Sequence, residues 1–191
     1  MHDQVVAILG RFVPAEIALS IADYAEFWTQ ASFEKAEPTS VDEDSPREPY
    51  LSFAILHSKK LRKIVFETRS HDQGTPWHEG VRAFRRLTCF CPGFSWDRAH
   101  IGTYEGSWTW FEASIAGRDV PPRHIQSNVH ANGEFRNHTN TWAVTDRTPD
   151  LQEWFDALRD GDEVEVYPMA QYGAWRNYVE FVKADVYYAI T

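Results

Sequence analysis

The sequence predicts a mainly β protein: a single-domain, jelly-roll-like β-sandwich with an N-terminal helix and one short helix near 149–159. Three observations predict it. At 191 residues and 43% hydrophobic composition, the chain is long enough for one well-buried core and too short for two generous domains. From Tyr50 onward, short β-branched and aromatic runs are punctuated by Gly, Pro, Asn and Asp, the pattern of strands joined by turns. Eight such runs suggest a sandwich or jelly roll.

The elements follow in chain order. "RFVPAEIALSIADYAEFWTQ" places Pro14 at a first helical position, with Ile17, Ile21, Tyr24, Ala25 and Trp28 spaced along one helical face. Residues 1–33 therefore read as an N-terminal helical segment. "EKAEPTSVDEDSPREP" combines three prolines with many charges and no periodicity, which predicts an acidic mobile loop over 34–49. Residues 50–191 form the β-sandwich domain, with strands near "YLSFAIL", "KIVFETRS", "RLTCF", "GSWTWFEASI", "HIQSNVHA", "EFRNHTNTWAV", "DEVEVYPMA" and "NYVEFVKADVYYAI". One helix interrupts them, with Thr148 as N-cap, Pro149 at the first turn and Asp150 at the positive end of the dipole. Leu151, Trp154, Phe155 and Leu158 share its apolar face, and Gly161 stops it.

Within "YEGSWTWFEASI", strand alternation puts Thr109, Phe111, Ala113 and Ile115 on one side and Trp108, Trp110, Glu112 and Ser114 on the other. The first set is the expected core face. The second is too apolar for a solvated face and too polar for a core, so it reads as the floor of a ligand site. Glu112 is then its nearest acid or base.

Asn132-Gly133 in "HANGEF" is a strong hairpin signal, because both central residues of that turn need positive φ. A two-residue turn gathers His124, Gln126, Asn128, His130 and Asn137 on one face and sets Arg136, His138 and Trp142 on the other. A bulge would exchange the second strand's faces. Either face is unusually rich in His, Asn and Arg for a plain solvated strand. "SHDQGTPWHEG" runs from a strand end into a loop carrying His71 and Asp72, and loops at strand ends are where sites are built. "AQYGAWRNYVEF" clusters Tyr172, Trp175, Arg176 and Asn177 after a Gly turn; rings with a guanidinium and an amide suit a sugar or conjugated ligand.

Composition narrows the partners. Nineteen basic against 28 acidic residues give a formal charge of −9, which excludes nucleic acid and an anionic membrane surface as expected partners. "LHSKKLRK" is the one dense basic stretch and reads as a solvated loop. The chain shows no signal-peptide pattern and no apolar run near the roughly 18 residues of a span, so a cytoplasmic protein is expected. Cys89 and Cys91 read as reduced structural thiols. No metal-ligand spacing, nucleophile-elbow motif or Gly-rich phosphate loop is present, and neither metal nor cofactor is expected.

Together "SHDQG", "YEGSWTWFEASI", "NVHA", "HTNTW", "GDEVEV" and "AQYGAWRNYVEFVKADVYYA" resemble a family of fungal proteins known mainly as uncharacterised. The resemblance implies a fungal source and a β-sandwich body and carries no established activity. "VPAEIALSIADYAEFW" is similar to the helix that often precedes the β part in that family, and it also resembles the first helix of an F-box. "HDQGTPW" departs from the "HDQGW" associated with the family.

These readings lead to a cofactor-independent small-molecule enzyme of cyclase, isomerase or lyase type, in fungal secondary metabolism, that holds a hydrophobic substrate in a Trp-lined pocket. Trp108, Trp110, Trp142, Tyr172, Trp175, Arg176, Asn177, Asn128, His130 and Arg136 would bind the substrate, and Glu112, His71, Asp72 and His138 would move protons. Two alternatives stay open: a non-catalytic glycan- or peptide-binding module, and an F-box-like adaptor using the first helix.

Overall fold

Period-two burial along the strands builds two facing sheets. A computed structural model describes residues 2–73, 100–172 and 175–190. Its strands are β1 (Thr29–Lys35), β2 (Thr39–Val41), β3 (Leu51–Ala54), β4 (Leu61–His71), β5 (Thr109–Ile115), β6 (Arg123–Ser127), β7 (Arg136–Ala143), β8 (Glu163–Ala170) and β9 (Asn177–Tyr188). Helices α1 (His2–Leu9) and α2 (Ala15–Tyr24) precede them, and α3 (Pro149–Ala157) joins β7 to β8. One sheet has the order β1-β9-β4-β7, with β2 also on β9; the other has the order β3-β8-β5-β6. All pairings are antiparallel. Leaving out the short β2, each step between successive described strands changes sheets except β5 to β6, as the connections of a double-sheet jelly roll do. The fold is a mainly β, two-sheet sandwich.

The core is filled from both sheets. Ile64 and Phe66 of β4 and Val182, Ala184 and Val186 of β9 face Phe111, Ala113 and Ile115 of β5 and Val164 and Val166 of β8, all buried. The expected inward face of β5 is the one observed. α3 closes the side, with Leu151 and Trp154 buried and the Trp154 ring edge-on to Trp142 at 5.1 Å. Thr148 does not cap this helix through its side chain; its Oγ1 donates to Asp146 Oδ1 at 2.6 Å instead.

Three expectations need correction. Two strands lie where the sequence pattern shows none: Thr29–Lys35 and Thr39–Val41 both add to β9. Phe33 explains the first, because it turns inward and stacks on Phe53 at 5.2 Å. The N-terminal apolar stripe is also reversed. Ala18 and Ala22 are the buried residues of α2, whereas Ile17, Ile21 and Tyr24 are exposed. Finally, the hairpin at Asn132-Gly133 does not exist, since β6 and β7 belong to different sheets. Positive φ falls on Ala131 rather than on Asn132 or Gly133, and Asn132 Oδ1 accepts the Glu134 N–H at 2.8 Å. That is a side-chain turn, which serves a crossover as well as a hairpin.

"LHSKKLRK" is likewise part of the framework. Ser58–Lys60 is a 3-10 turn, Leu61 opens β4, and the Lys63 ammonium sits 5.0 Å from the Trp28 ring and 4.8 Å from that of Tyr187. "RLTCF", Cys89 and Cys91 lie outside the described residues, as does "SHDQGTPWHEG" beyond Gln73.

Candidate functional site

Going along the core faces, apolar side chains give way to polar ones at one end of the sandwich. On β4 the inward residues run Ile64, Phe66, Thr68, Ser70, and Asp72 follows, all buried. The pairings Ser70↔Arg136, His71↔Tyr178, Trp110↔Ser127 and Thr109↔Ala170 bring the ends of six strands together there. Thr109, Asn128, His130, His138 and Asn177 are buried at this same end. The helices α1 and α2 attach at the opposite end, where Asp23 pairs with Arg62 at the start of β4.

Part of this polar end is a closed hydrogen-bond network that ties the sheets together. Ser70 Oγ donates to Asn128 Oδ1 at 2.6 Å, and Asn128 Nδ2 donates to Thr109 Oγ1 and Asn177 Oδ1, both at 2.9 Å. Asn177 Nδ2 continues to the carbonyls of Trp110 at 3.0 Å and Met169 at 3.2 Å. Asp72 Oδ2 accepts the Ala131 N–H at 2.7 Å, which fixes the crossover beside it. Asn128 and Asn177 are thus structural bridges rather than free ligand contacts.

The rest of the polar end is open chemically. His130 Nδ1 lies 2.7 Å from the Gly106 carbonyl, but among the described residues its Nε2 has no hydrogen-bond partner. Both ring nitrogens of His138 and the Thr68 hydroxyl also lack one among these residues. Thr68 and His138 are cross-strand neighbours. Unmade hydrogen bonds on buried groups are costly, about 1–3 kcal/mol each, so four such atoms at one end of a core call for a ligand or water. Burial, with a smaller contribution from Arg136, holds the His138 pKa below its ordinary 6.5. Its ring is neutral at pH 7, able both to donate and to accept.

Aromatic side chains rim this floor. Tyr104 meets the His138 ring edge-on at 5.7 Å, and Trp175 lies 5.1 Å from His130. Trp108 and Tyr172 form an exposed edge-to-face pair at 4.6 Å, with Tyr172 held at φ 68°. Beside Trp175, a depression of about 270 Å³ is lined by Asp42, Asp44, Gln73, Arg176 and Tyr178 among others.

The remaining expected site residues are dispersed. Trp142 is core, packed between Phe66 at 4.9 Å and Trp154. It faces inward because β7 joins the sheet of β4, not a hairpin with β6. Trp110 and Glu112 lie on the outer face of their sheet. There the indole N–H donates to Glu112 Oε2 at 3.3 Å, and Arg47 from the acidic segment pairs with Oε1 at 2.6 Å. Arg47 also covers the Tyr167 ring at 4.7 Å, so this face is covered by the chain itself. His71 points away from Asp72, as adjacent strand residues must, and stacks on Tyr178 at 4.7 Å. Arg136 is exposed at the mouth, and Arg176 pairs with Asp42 at 2.7 Å. The sequence reading does not mark Thr68, Ser70 or Tyr104, and it places Thr109 on the core face rather than in the site. Alternation along "ETRSHD" carried a signal for the first two, since both share a face with buried Phe66.

Among the described residues, no helix is long and apolar enough to cross a membrane, and no group of three His, Cys, Asp or Glu is placed to hold a metal ion. No protein-family model matches the chain, and no curated protein matches it either.

Proposed function

We propose that the polar end of the sandwich binds a small organic molecule and that the protein acts on it without a cofactor, as a cyclase, isomerase or lyase of fungal secondary metabolism in the cytoplasm. One observation carries this reading: His138, buried and neutral, has two ring nitrogens with no partner. A neutral imidazole with no competing hydrogen bond is ready to take a proton from a bound substrate. A purely static platform needs no such group. Reactions of this class need orientation and a placed base, and the aromatic rim with its polar floor supplies both elements. Comparing metabolites of the source organism with and without this gene tests the reading; an unchanged metabolite profile removes it.

A second reading is favoured by a separate observation at the opposite end. Phe12 and Tyr24 are 81% and 94% exposed, and Ile17 and Ile21 lie exposed with them on the α1–α2 segment. Apolar side chains clustered in water mark interaction surfaces. An adaptor that docks a partner protein through these helices, in the manner their F-box resemblance implies, is the alternative.

A further inference from the structure

We infer that the molecule bound at the polar end is a ring compound without anionic groups, bearing several hydroxyl groups whose hydrogens are taken by His130 Nε2 and His138. This rests on the ligand-binding reading above and narrows its substrate class.

A carbonyl oxygen only accepts, so His130 Nδ1, 2.7 Å from the Gly106 carbonyl, carries the ring proton. In that tautomer Nε2 presents a lone pair alone, in a side chain 1% exposed. Gly106 holds that geometry. Its φ is +68°, a conformation side-chain-bearing residues rarely adopt, whereas a Cβ there would meet His130 Nδ1 at an ordinary contact of 3.6 Å, so the backbone and not the space calls for glycine. His138 adds one lone pair and one N–H, and Thr68 one hydroxyl. The partnerless groups are thus matched by hydroxyls, which both donate and accept.

Negative charge on the ligand is disfavoured by what the described floor lacks. Among the described residues, no Lys or Arg is among the buried polar groups. Arg176 and Arg69 at the margins are paired with Asp42 and Glu180, and Arg136 is solvent-exposed, where its field is screened. A carboxylate or phosphate would enter a chain of net charge −9 without a buried counter-charge. The rim supplies the complement to a ring face: Trp108, Tyr172 and Tyr104 are exposed aromatics at this end, and such side chains stack on flat phenolic rings and on the apolar faces of sugars alike.

The test uses the full-length protein and four probes: phloroglucinol, its tri-O-methyl ether, methyl glucoside, and gallate as the anionic counterpart. Binding is read by tryptophan fluorescence and by long-range ¹H–¹⁵N NMR of the imidazoles. The expected result is saturable binding of phloroglucinol or methyl glucoside, with the preferred one distinguishing a phenolic from a sugar source. The methyl ether and gallate should bind at least about tenfold more weakly than phloroglucinol in the phenolic case. His130→Phe should abolish the preference for free hydroxyls, and in the wild type the His130 Nε2 resonance should move on binding, a readout that needs no variant. Methyl ether binding as tightly as phloroglucinol overturns the hydroxyl class while leaving a ligand site in place. An unmoved His130 resonance on saturation overturns the assignment of the acceptor. No saturable binding of any probe overturns the class, whereas the metabolite comparison separately decides the broader function.

Discussion

Asn128 Nδ2 donates to Asn177 Oδ1 at 2.9 Å, joining the crossover that leaves β6 in one sheet to the first residue of β9 in the other. Both residues are fully buried, and the same Asn128 amide group holds Ser70 and Thr109. Asn128→Ala strands three partners and should cost about 2–4 kcal/mol, read as a lowered urea midpoint at unchanged slope. A double-mutant cycle with Asn177→Ala should give a coupling of about 1 kcal/mol. Additive losses would mean that the two amides act separately.

His138 is expected to behave in the opposite way. Its ring nitrogens make no hydrogen bond, so His138→Phe removes polar atoms that contribute nothing to the unliganded fold. Stability should stay within about 1 kcal/mol or rise, while ligand binding is lost. Thermal unfolding of the two proteins side by side checks this.

The pH dependence follows from the same burial. A histidine whose folded pKa lies below 6.5 is protonated first in the unfolded chain. Its contribution is therefore lost as pH falls below about 6.5, with a slope of at most about 1.4 kcal/mol per pH unit. His138→Phe should reduce the slope of this limb, leaving the part due to His124, whose pKa burial also holds below 6.5. Asp23 and Asp185, whose pKa values are held below 3.8 by Arg62 and by Lys183 with Ser32, act in a separate and more acidic window.

Gly106→Ala places a side chain at φ +68° and should cost about 1 kcal/mol or more. Its more telling effect is on His130, whose ring proton should no longer be fixed on Nδ1. Imidazole ¹⁵N shifts intermediate between the two tautomers are the expected signature.

At the helical end, replacing Phe12 and Tyr24 by Ser removes only exposed apolar surface. Stability should change by no more than about 0.5 kcal/mol. A loss several times larger in chemical denaturation would show that these side chains pack on the body.

Much of this architecture was legible in the sequence because strand alternation and the α3 signals are local. Period two and apolar character together point Phe111, Ala113 and Ile115 inward, and helix chemistry places Pro149 at the first turn with Leu151 and Trp154 on the buried face. The hairpin failed for the same reason that these succeeded. Asn132-Gly133 is a local signal, and whether a turn returns to its own sheet or crosses to the other is decided by distant partners: Asn128 on Ser70, Trp142 on Phe66. The N-terminal helix shows the same limit. Period 3.6 marks an apolar stripe, but it was the small residues Ala18 and Ala22 that faced inward. Of the site residues, His130, His138, Asp72 and Trp175 meet at one end as parts of one floor, whereas Trp110 and Glu112 share a strand with it and face the other way. Face was readable there; which face meets a ligand was not.

The most direct measurement is the metabolite profile of the source organism carrying, in place of the wild-type gene, either a His138→Phe allele or a Phe12→Ser, Tyr24→Ser allele, at equal protein level. The His138 allele is expected to reproduce the change caused by deleting the gene, and the helical allele to leave the wild-type profile. A His138 allele indistinguishable from wild type, with the deletion phenotype appearing in the helical allele, would contradict it and place the function at the opposite end of the sandwich.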